Sequence, residues 1–368
     1  MDYCSKIHYT IECAAPANFE TMVGELLERL PQDEVVLRLV FFGAMKADDE
    51  YVKSMALLKE KVYARYGDKM PALSLVGQAP LSAPLLLEAN CYMSEPGDIF
   101  HFRSYRDLSY VLLENETGRF LFAGGLQGNV MNASIERQSQ EAFSLLCGLL
   151  ASENFSLTQI IRQWNYIERI TGVDGIDQRY QSFNNVRSAC YACEKWDNGY
   201  PAATGIGSAA GGVLIDVDAV SPISPDAYIT PIDNRLQIAA HAYSGLVLEV
   251  SHQKKTTPKF ERAKSITTGD VRLVYVSGTA AIRGEKSLRG VGLECQLRTT
   301  MENIYELIGG AQLAMLRVYL KRQEDYAEAK FLLDSYKLGI PISFLSADVC
   351  REELLIEIEG IAKGEFDQ

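Results

Sequence analysis

The chain has 368 residues, of which 47% are hydrophobic, and its formal net charge is −12 with a sequence pI of about 5.0. This length allows two or three domains, and the hydrophobic fraction is typical of a globular protein rather than a disordered one. The acidic balance argues against a nucleic-acid surface, which would need a basic stripe. We therefore expect no nucleic-acid partner.

The sequence shows no segment that would cross a membrane or direct secretion. No apolar run approaches the roughly 18 residues of a transmembrane helix, and residues 1–6 lack the apolar core of a signal peptide. The eight Cys are scattered, as expected for reduced thiols in a reducing compartment. We expect a cytoplasmic protein with no membrane partner.

Neither the histidines nor the cysteines predict a metal site or a cofactor. The four histidines are far apart and share no metal-binding spacing: His8, His101, His241 and His252. One CxxC motif, Cys190-Tyr191-Ala192-Cys193, lies near a predicted helix end without a second pair or a nearby His. Ordinary packing explains it more readily than a redox or metal role.

Hydrophobic periodicity predicts alternating strands and helices along the chain. The predicted elements of the first part are strand 7–13, helix 19–30, strand 35–42, helix 49–66 and strands that begin at Pro71 and Leu85. Residues 92–117 are predicted to be a connector with one pair of strands. Two later helices are predicted at 134–151 and at about 178–193.

One pattern occurs three times. A strand that begins with Pro is followed by an apolar strand that carries an acidic residue, and the two residues are 17, 15 and 16 positions apart. The three pairs are Pro71 with Glu88, Pro201 with Asp216, and Pro341 with Glu357. Internal repetition on this scale indicates one supersecondary unit used several times.

The two later copies extend further back, because residues 119–125 match residues 272–278 at a constant offset of 153. Each unit is predicted to run strand, loop, helix, strand, helix, strand, strand, which gives an α+β fold with helices on one face of a mixed sheet. The predicted organisation is a diverged first unit with its connector at 1–117, a second unit at 118–220, a crossover at 221–265 and a third unit at 266–368.

The last predicted strand, residues 354–362, is apolar enough for a sheet centre, yet it carries Glu357 and Glu359. Residues two apart in a strand point to the same face. Burying a carboxylate in a sheet costs several kcal/mol unless the group is paired or used. An edge strand with a solvated acidic face is the alternative.

Several motifs resemble known families. The third unit resembles the RidA/YjgF family through Ser277-Gly278-Thr279, Cys295-Gln296 and the strand of Glu357. Over most of its length the chain is similar to the chorismatases of the FkbO, Hyg5 and XanB2 branch. The motifs that carry this resemblance are Trp164-Asn165-Tyr166-Ile167, Arg179-Tyr180-Gln181-Ser182-Phe183-Asn184, Tyr200-Pro201-Ala202-Ala203-Thr204-Gly205-Ile206-Gly207, Phe260-Glu261-Arg262-Ala263, Ser277-Gly278-Thr279-Ala280 and Cys350-Arg351.

The resemblance implies a fold and an activity. RidA proteins are trimers with sites between subunits, so tandem RidA/YjgF-like (chorismate-mutase-like) units imply a monomer that imitates a trimer. Chorismatases hydrolyse the small dianionic acid chorismate to pyruvate and a hydroxybenzoate or a dihydroxycyclohexadiene carboxylate. An aromatic product of this kind suits secondary metabolism.

Within this resemblance Glu357 is the general acid. Enol ether hydrolysis begins with proton transfer to the terminal methylene carbon, so the acid must be protonated near neutral pH. Burial between Leu and Ile side chains and a second nearby carboxylate both raise a carboxyl pKa. Glu359 shares the face of Glu357 and could assist it or be solvated.

Arginine suits the two carboxylates of chorismate because its donors form a planar fork. The substrate-binding residues that the resemblance implies are Tyr166, Arg179, Tyr200, Arg235, Arg262, Ala263, Gly278 and Thr279. The family pattern has a Pro before the Arg235 position, where this chain has Asn234.

Two positions bear on the product, and they conflict. Family members with Cys at the position of Cys350 tend to make 3-hydroxybenzoate, whereas Ala at the position of Ala263 is more like the dihydrodiol makers. Cys350, placed near the site, is therefore assigned with Glu357 to catalysis, and a buried small hydrophobe is the alternative for it.

Three other functions are considered. RidA-type imine or enamine deaminases use an Arg on the strand that begins at the Pro, and all three such strands here lack it. The glycines of residues 205–211 precede a strand rather than a helix, unlike a dinucleotide-binding loop. A non-catalytic small-molecule-binding protein of the same fold stays open, because fold does not fix function.

Overall fold

The computed structural model describes residues 3–128, 132–244 and 256–365. Within these ranges no helix is both long enough and apolar enough to cross a membrane. Residues 245–255 of the predicted crossover lie outside the described residues.

The first part of the chain forms a four-stranded sheet with two long helices. Its elements are α1 (Tyr3–Lys6), β1 (Ile7–Cys13), α2 (Phe19–Glu28), β2 (Val35–Gly43), α3 (Asp48–Tyr66), β3 (Ala72–Val76), β4 (Ala79–Pro80) and β5 (Leu85–Tyr92). Asn18 caps α2 by accepting a hydrogen bond from the backbone N–H of Thr21. Met22, Val23, Leu26 and Leu27 bury one face of that helix, as the periodicity predicts.

The middle of the chain forms a six-stranded sheet. Its elements are β6 (Ile99–Tyr105), β7 (Leu108–Glu114), β8 (Gly118–Leu126), α4 (Ile135–Ser152), β9 (Ile160–Glu168), the short pair β10 (Val173–Asp174) and β11 (Asp177–Gln178), α5 (Arg179–Tyr191), β12 (Ala202–Ser208) and β13 (Val213–Pro222). Ser134 caps α4 by accepting from the N–H of Arg137.

The last part forms a seven-stranded sheet. Its elements are β14 (Ala227–Ile232), β15 (Ala263–Thr268), β16 (Val271–Ala280), the short pair β17 (Ile282–Arg283) and β18 (Lys286–Ser287), α6 (Gly292–Ile308), β19 (Gln312–Leu320), α7 (Tyr326–Asp334), β20 (Ile342–Ser346) and β21 (Ile356–Glu365). Single 3₁₀ turns lie at Leu157–Gln159, Ala240–Ala242 and Gln323–Asp325.

The three sheets repeat one topology, which confirms the tandem α+β prediction. The strand orders are β1-β5-β2-β3, β8-β13-β9-β12 and β16-β21-β19-β20 within the respective sheets. In each, the second and third strands of the unit are parallel and the fourth runs antiparallel between the first and the second. We call these sheets with their helices units one, two and three.

Hairpins extend the two later sheets beyond this shared part. The strand pair of the predicted connector, β6 with β7, continues the second sheet next to β8. In the same way β14 and β15, which come from the predicted crossover, continue the third sheet next to β16. The short β4 of unit one pairs with β20 of unit three.

Each sheet packs one face on its own helices and the other face on the other units. Three hydrophobic clusters each join the helices of one unit to its sheet. Two further clusters draw side chains from all three sheets, including Leu37, Phe120 and Tyr275 in one cluster and Phe42 and Trp164 in the other. The fold is therefore a pseudo-trimer in one chain, with sheets inside and helices outside.

Candidate active site

A cavity of about 820 Å³, including its open mouth, lies between units two and three. Its walls come from the start of α5, the edge of β12, the segment before β15, and the third unit. The lining residues are Gln178, Tyr180, Gln181, Asn184, Ala203, Gly205, Tyr243, Pro258, Phe260, Arg262, Gly278, Ala280, Ile282, Cys350, Arg351, Leu354 and Glu357.

Glu357 reaches this cavity from the centre of the third sheet. β21 lies between β16 and β19, and Glu357 pairs with Ala280 on one side and Tyr319 on the other. The edge-strand alternative is therefore wrong. Ile356 and Ile358 point into the helix-facing core, so Glu357 faces the opposite way and is only 5% exposed.

A bulge in β16 makes room for this carboxyl group. The register between β16 and β21 shifts between Val276 and Thr279, which places Gly278 against Glu357. A Cβ atom at Gly278 would overlap Oε1 of Glu357. Only glycine fits here, and bulges of this kind commonly re-aim side chains beside functional sites.

The surroundings of Glu357 favour its protonated form. Desolvation, followed by the neighbouring Glu359, raises the pKa of Glu357 to about 8, against the opposing effect of three arginines. Within the described parts of the chain no hydrogen bond to its carboxyl group forms. The group is therefore available as a neutral acid at pH 7.

Glu359 differs, although it is two residues away and equally buried. Arg162, Trp164 Nε1 and Arg317 donate hydrogen bonds to its carboxylate at 2.7–2.8 Å, and Thr204 adds another. Burial alone would raise its pKa, but Arg317 and Arg162 hold the pKa below the ordinary value. Glu359 is thus an ionised, paired carboxylate and not a solvated one.

Two arginines give the cavity a cationic side. Arg262 donates hydrogen bonds to Ile238 O at 3.2 Å and to the Tyr243 hydroxyl, and Arg351 donates to Glu285 O and to Ser287 Oγ at 3.1 and 2.9 Å. Among the described residues neither has a carboxylate partner, and the buried Nε of Arg262 has no hydrogen-bond partner. The buried guanidinium group of Arg262 and the partly buried one of Arg351 are therefore suited to an anionic ligand.

The wall from α5 is polar. Phe183, Arg187 and Tyr191 recur every four residues and bury one face of the helix, which turns Tyr180 and Asn184 towards the cavity. Arg187 donates a hydrogen bond to Oδ1 of Asn184 at 2.5 Å and fixes its amide. Desolvation raises the pKa of the Tyr180 hydroxyl to about 12, so the phenol stays a neutral donor.

Cys350 completes the third-unit wall next to Glu357. Desolvation and then the nearby Glu357 raise the pKa of its thiol to about 12. A thiol with this pKa is neutral near pH 7, and the predicted part of Cys350 in catalysis stays a prediction.

The structure brings four of the predicted site residues together at this cavity: Cys350, Glu357, Arg262 and Gly278. The other six lie outside the lining. Tyr166 accepts a hydrogen bond from Arg317 between the three sheets, and Arg179 packs against the loop at Gly172.

The remaining four have other surroundings. Tyr200 stacks on Tyr191, Arg235 is 87% exposed in its side chain and pairs with Glu306, Ala263 is buried in the helix-facing core, and Thr279 Oγ1 donates to Ser277 O.

Five residues of the cavity lining were not predicted from the sequence, although four of them lie inside the quoted motifs: Tyr180, Asn184, Tyr243, Phe260 and Arg351. The spacing of four between Tyr180 and Asn184 in a predicted helix was a usable signal, because such residues share a face. Tyr243 had no signal, since it is far in sequence from every other lining group except the segment 258–262.

The repeated acids occupy matching places with different neighbours. Glu88 pairs with Val40, Asp216 with Trp164, and Glu357 with Tyr319 across corresponding strands. Glu88 accepts hydrogen bonds from Arg317 and Ser343. Asp216 accepts from Ser74 Oγ at 2.7 Å and from Gly125 N at 2.8 Å. Glu357 is thus the one of these three acids that faces the cavity unpaired within the described ranges.

Among the residues that the structure describes, one group of side chains could hold a metal ion, and it lies in unit one. Ligand atoms of His8, Glu34 and Cys91 are within 4.8 Å of one another, and Cys91 belongs to the helix-facing core of that unit. The three residues come from separate strands or loops, so no sequence spacing indicates them. The cavity of Glu357 holds no comparable group of ligands among the residues that the structure describes.

Comparisons with known proteins identify the fold and give a partial match to a family. The fold is that of a chorismatase, since a chorismatase crystal structure superposes with a TM-score of 0.68 at 19% identity, covering 97% of this chain and 98% of that one. Residues 110–219 match the family model described as "Chorismatase FkbO/Hyg5-like, N-terminal".

Two curated relatives agree with this match. A 3-hydroxybenzoate synthase from Streptomyces hygroscopicus is 29% identical over 231 residues, which cover 57% of this chain and 65% of the relative. A chorismatase from Streptomyces rapamycinicus is 26% identical over 225 residues, 55% of this chain and 63% of the relative. The chain thus spans just under two thirds of the length of these relatives. It is similar to the FkbO/Hyg5-like chorismatases, as the motifs predict.

Proposed function

We propose that the protein is a chorismatase that cleaves the enol ether of chorismate and releases pyruvate. The observation that carries this proposal is a buried carboxyl group with a raised pKa, Glu357, in a cavity that also holds Arg262 and Arg351, two arginines without a carboxylate partner among the described residues. Acid and cations are the two requirements of protonating a dianionic enol ether.

In the proposed reaction the Glu357 carboxyl group transfers its proton to the terminal methylene carbon of the enolpyruvyl group. The resulting oxocarbenium ion faces the new Glu357 carboxylate, which stabilises it electrostatically. Water adds to this cation and returns a proton to Glu357. The hemiketal then breaks its bond to the ring oxygen and yields pyruvate and the ring alcohol.

Desolvation and, after it, the ionised Glu359 raise the pKa of Glu357 to about 8, which lets this cycle run near neutral pH. The charge of Glu359 is itself held by Arg317 and Arg162, so Glu359 does not compete for the proton. A pair of carboxyl groups with pKa values pushed apart is a recurrent arrangement for acid catalysis.

Between the two products we propose 3-hydroxybenzoate. Of the two positions associated with product in this family, Cys350 lines the cavity, whereas Ala263 lies in the helix-facing core. The relative named 3-hydroxybenzoate synthase also shares 29% identity with the chain. Hydrolysis adds one water to chorismate, and aromatisation of the ring alcohol releases one water. The overall products are therefore 3-hydroxybenzoate and pyruvate, with no net uptake of water.

The two alternatives are not favoured. An imine deaminase of the RidA type would need an Arg on the Pro-led strand, and β12 presents Ala203 and Gly205 to the cavity instead. A binding protein that had lost the chemistry would not need the acid to stay unpaired and protonated.

We further propose that the chain acts as a monomer in the cytoplasm, with units bounded near residues 118, 221 and 266. The three units of one chain take the places that three separate subunits would take in a trimer. The proposed catalytic cavity lies between two of these units, so a second chain is not needed to form it.

The test is pyruvate release from chorismate, with the second product identified by chromatography, for wild type, Glu357→Gln and the control Glu352→Gln. Glu352 is an exposed acid five residues earlier. We expect the Glu357 variant to lose at least about 10²-fold in rate, as for removal of a general acid, and the control to match wild type. A folded wild-type protein that releases no pyruvate would refute the proposal.

A further inference from the structure

Two cysteines from neighbouring helices touch in unit two. The Sγ atoms of Cys147 on α4 and Cys190 on α5 are 3.7 Å apart, and both residues are half-buried. Both line a surface groove between the helices together with Phe143 and Asn185. The thiols are therefore in contact with each other and within reach of small molecules in solution.

The CxxC motif suggests Cys193 as the partner of Cys190, but the structure places the Cys193 thiol elsewhere. The Cys193 thiol is exposed and lies 3.9 Å from the carbonyl oxygen of Ala189, as a donor to its own helix end. The first sulfur of the motif thus has its neighbour on another helix, 43 residues earlier.

We propose that Cys147 and Cys190 form a reversible disulfide that joins α4 to α5, with a low-molecular-weight disulfide such as glutathione disulfide as the oxidant. The Cys147 thiolate attacks one sulfur of the oxidant and expels one thiolate, which leaves a mixed disulfide on Cys147. Cys190 gives up its proton to solvent, attacks the Cys147 sulfur and expels the second thiolate. Two protein thiols are oxidised, and one small disulfide is reduced to two thiols.

The order of these steps follows from the pair itself. The hydrogen bond from Cys190 lowers the pKa of Cys147 below the ordinary value, while the same contact raises the pKa of Cys190. Cys147 is thus the attacking thiol and Cys190 the resolving thiol.

The disulfide would act on the cavity through α5. Bond formation brings the two sulfurs from 3.7 Å to about 2.05 Å, which the side chains and the helix must accommodate. The same helix presents Tyr180 and Asn184 to the cavity. Resting on the proposed function, we infer that oxidation changes KM for chorismate several-fold.

The experiment treats reduced, full-length protein with glutathione disulfide and maps the products by non-reducing peptide mass spectrometry. The expected result is a cross-linked peptide pair containing Cys147 and Cys190 in wild type and in the control Cys193→Ser, and its absence in Cys147→Ser and Cys190→Ser. A Cys190–Cys193 disulfide, or mixed disulfides confined to the exposed Cys13, Cys193 and Cys295, would overturn the proposal.

Pyruvate release is then measured on the same samples. A KM that changes on oxidation in wild type and not in Cys147→Ser supports the action through α5, and an unchanged KM refutes that part. If neither redox form releases pyruvate, the proposed chorismatase activity fails, whereas the peptide map still decides whether the disulfide forms.

Discussion

The raised pKa of Glu357 has a consequence for stability that does not depend on the substrate. Burial raises the pKa of the carboxyl group from its ordinary 4.5 to about 8 in the folded chain. The folded state therefore binds this proton more tightly than the unfolded state. Its contribution to the free energy of unfolding is fully present below about pH 4.5 and is lost as the pH rises towards 8.

The magnitude follows from the shift. A difference of about 3.5 pKa units corresponds to roughly 5 kcal/mol at about 1.4 kcal/mol per unit, and it accumulates across this pH window. In Glu357→Gln the side chain keeps its shape and does not titrate. We therefore expect the variant to gain stability relative to wild type as the pH rises, by a few kcal/mol between about pH 5 and pH 9.

The assay is urea unfolding of wild type, Glu357→Gln and Glu352→Gln at both pH values, followed by fluorescence and circular dichroism. The exposed Glu352 is the matched control, because its replacement removes one acid from solvent rather than from the cavity. A stability difference for Glu357→Gln that is the same at both pH values, or that falls as the pH rises, would refute the electrostatic description of the site.

Three further predictions concern activity and the ion pairs. For pyruvate release, kcat/KM should fall about tenfold per pH unit above about pH 8, as Glu357 loses its proton; a rate that rises there would contradict its role as the acid. Gly278→Ala should lower kcat/KM by at least about tenfold, because the new methyl group displaces the acid, whereas Gly24→Ala, with open space at its Cβ, should not; equal rates would show that the bulge is unimportant. Arg317→Met should destabilise the fold by about 3–5 kcal/mol in urea titrations, because it leaves buried carboxylates unpaired. The control Arg298→Met, at an exposed arginine, should cost about 0.5 kcal/mol. Similar losses in both variants would refute the buried network.

The repeat, the fold class and the buried place of Glu357 in a sheet could be predicted from the sequence because each depends on a local pattern. The Pro-to-acid spacing reflects two strands and a short connection, and the same connection recurs in the three sheets. Glu357 stood out because an acid in an apolar strand has few explanations.

Side-chain direction limited the prediction of the binding residues. Arg262 and Gly278 line the cavity, while their neighbours Ala263 and Thr279 face away. Adjacent strand residues point to opposite faces, so a motif can be located correctly while its inward member stays undetermined until the sheet's packing is known. Tyr243 was not predictable because only the tertiary fold brings it beside Arg262 and Arg351.

The ion pairs between the sheets explain why one of three similar interfaces holds an acid without an ion pair among the described residues. Each unit contributes an arginine to a carboxylate of the next: Arg38 pairs with Asp218, Arg162 with Glu359, and Arg317 with Glu88. These pairs close a cycle around the three sheets, since the third arginine returns to the first unit.

The cycle is not fully symmetric. The three units differ in the residue that pairs with the arginine on the neighbouring strand of the same sheet. Asp218 and Glu359 pair with Arg162 and Arg317 across their own sheets, but the corresponding residue of unit one is Asn90. Arg317 therefore binds Glu88 instead, the unit-one counterpart of Glu357. In unit three Glu359 pairs with both Arg162 and Arg317, and Glu357 has no ion pair with any described residue. Replacing Asn90 by Asp would offer Arg317 a second partner in unit one and weaken its hold on Glu359. We expect Asn90→Asp to shift the alkaline limb of the pyruvate-release profile, and Asn115→Asp, outside this cycle, to leave it in place. An unchanged limb in Asn90→Asp would show that the cycle does not control the acid.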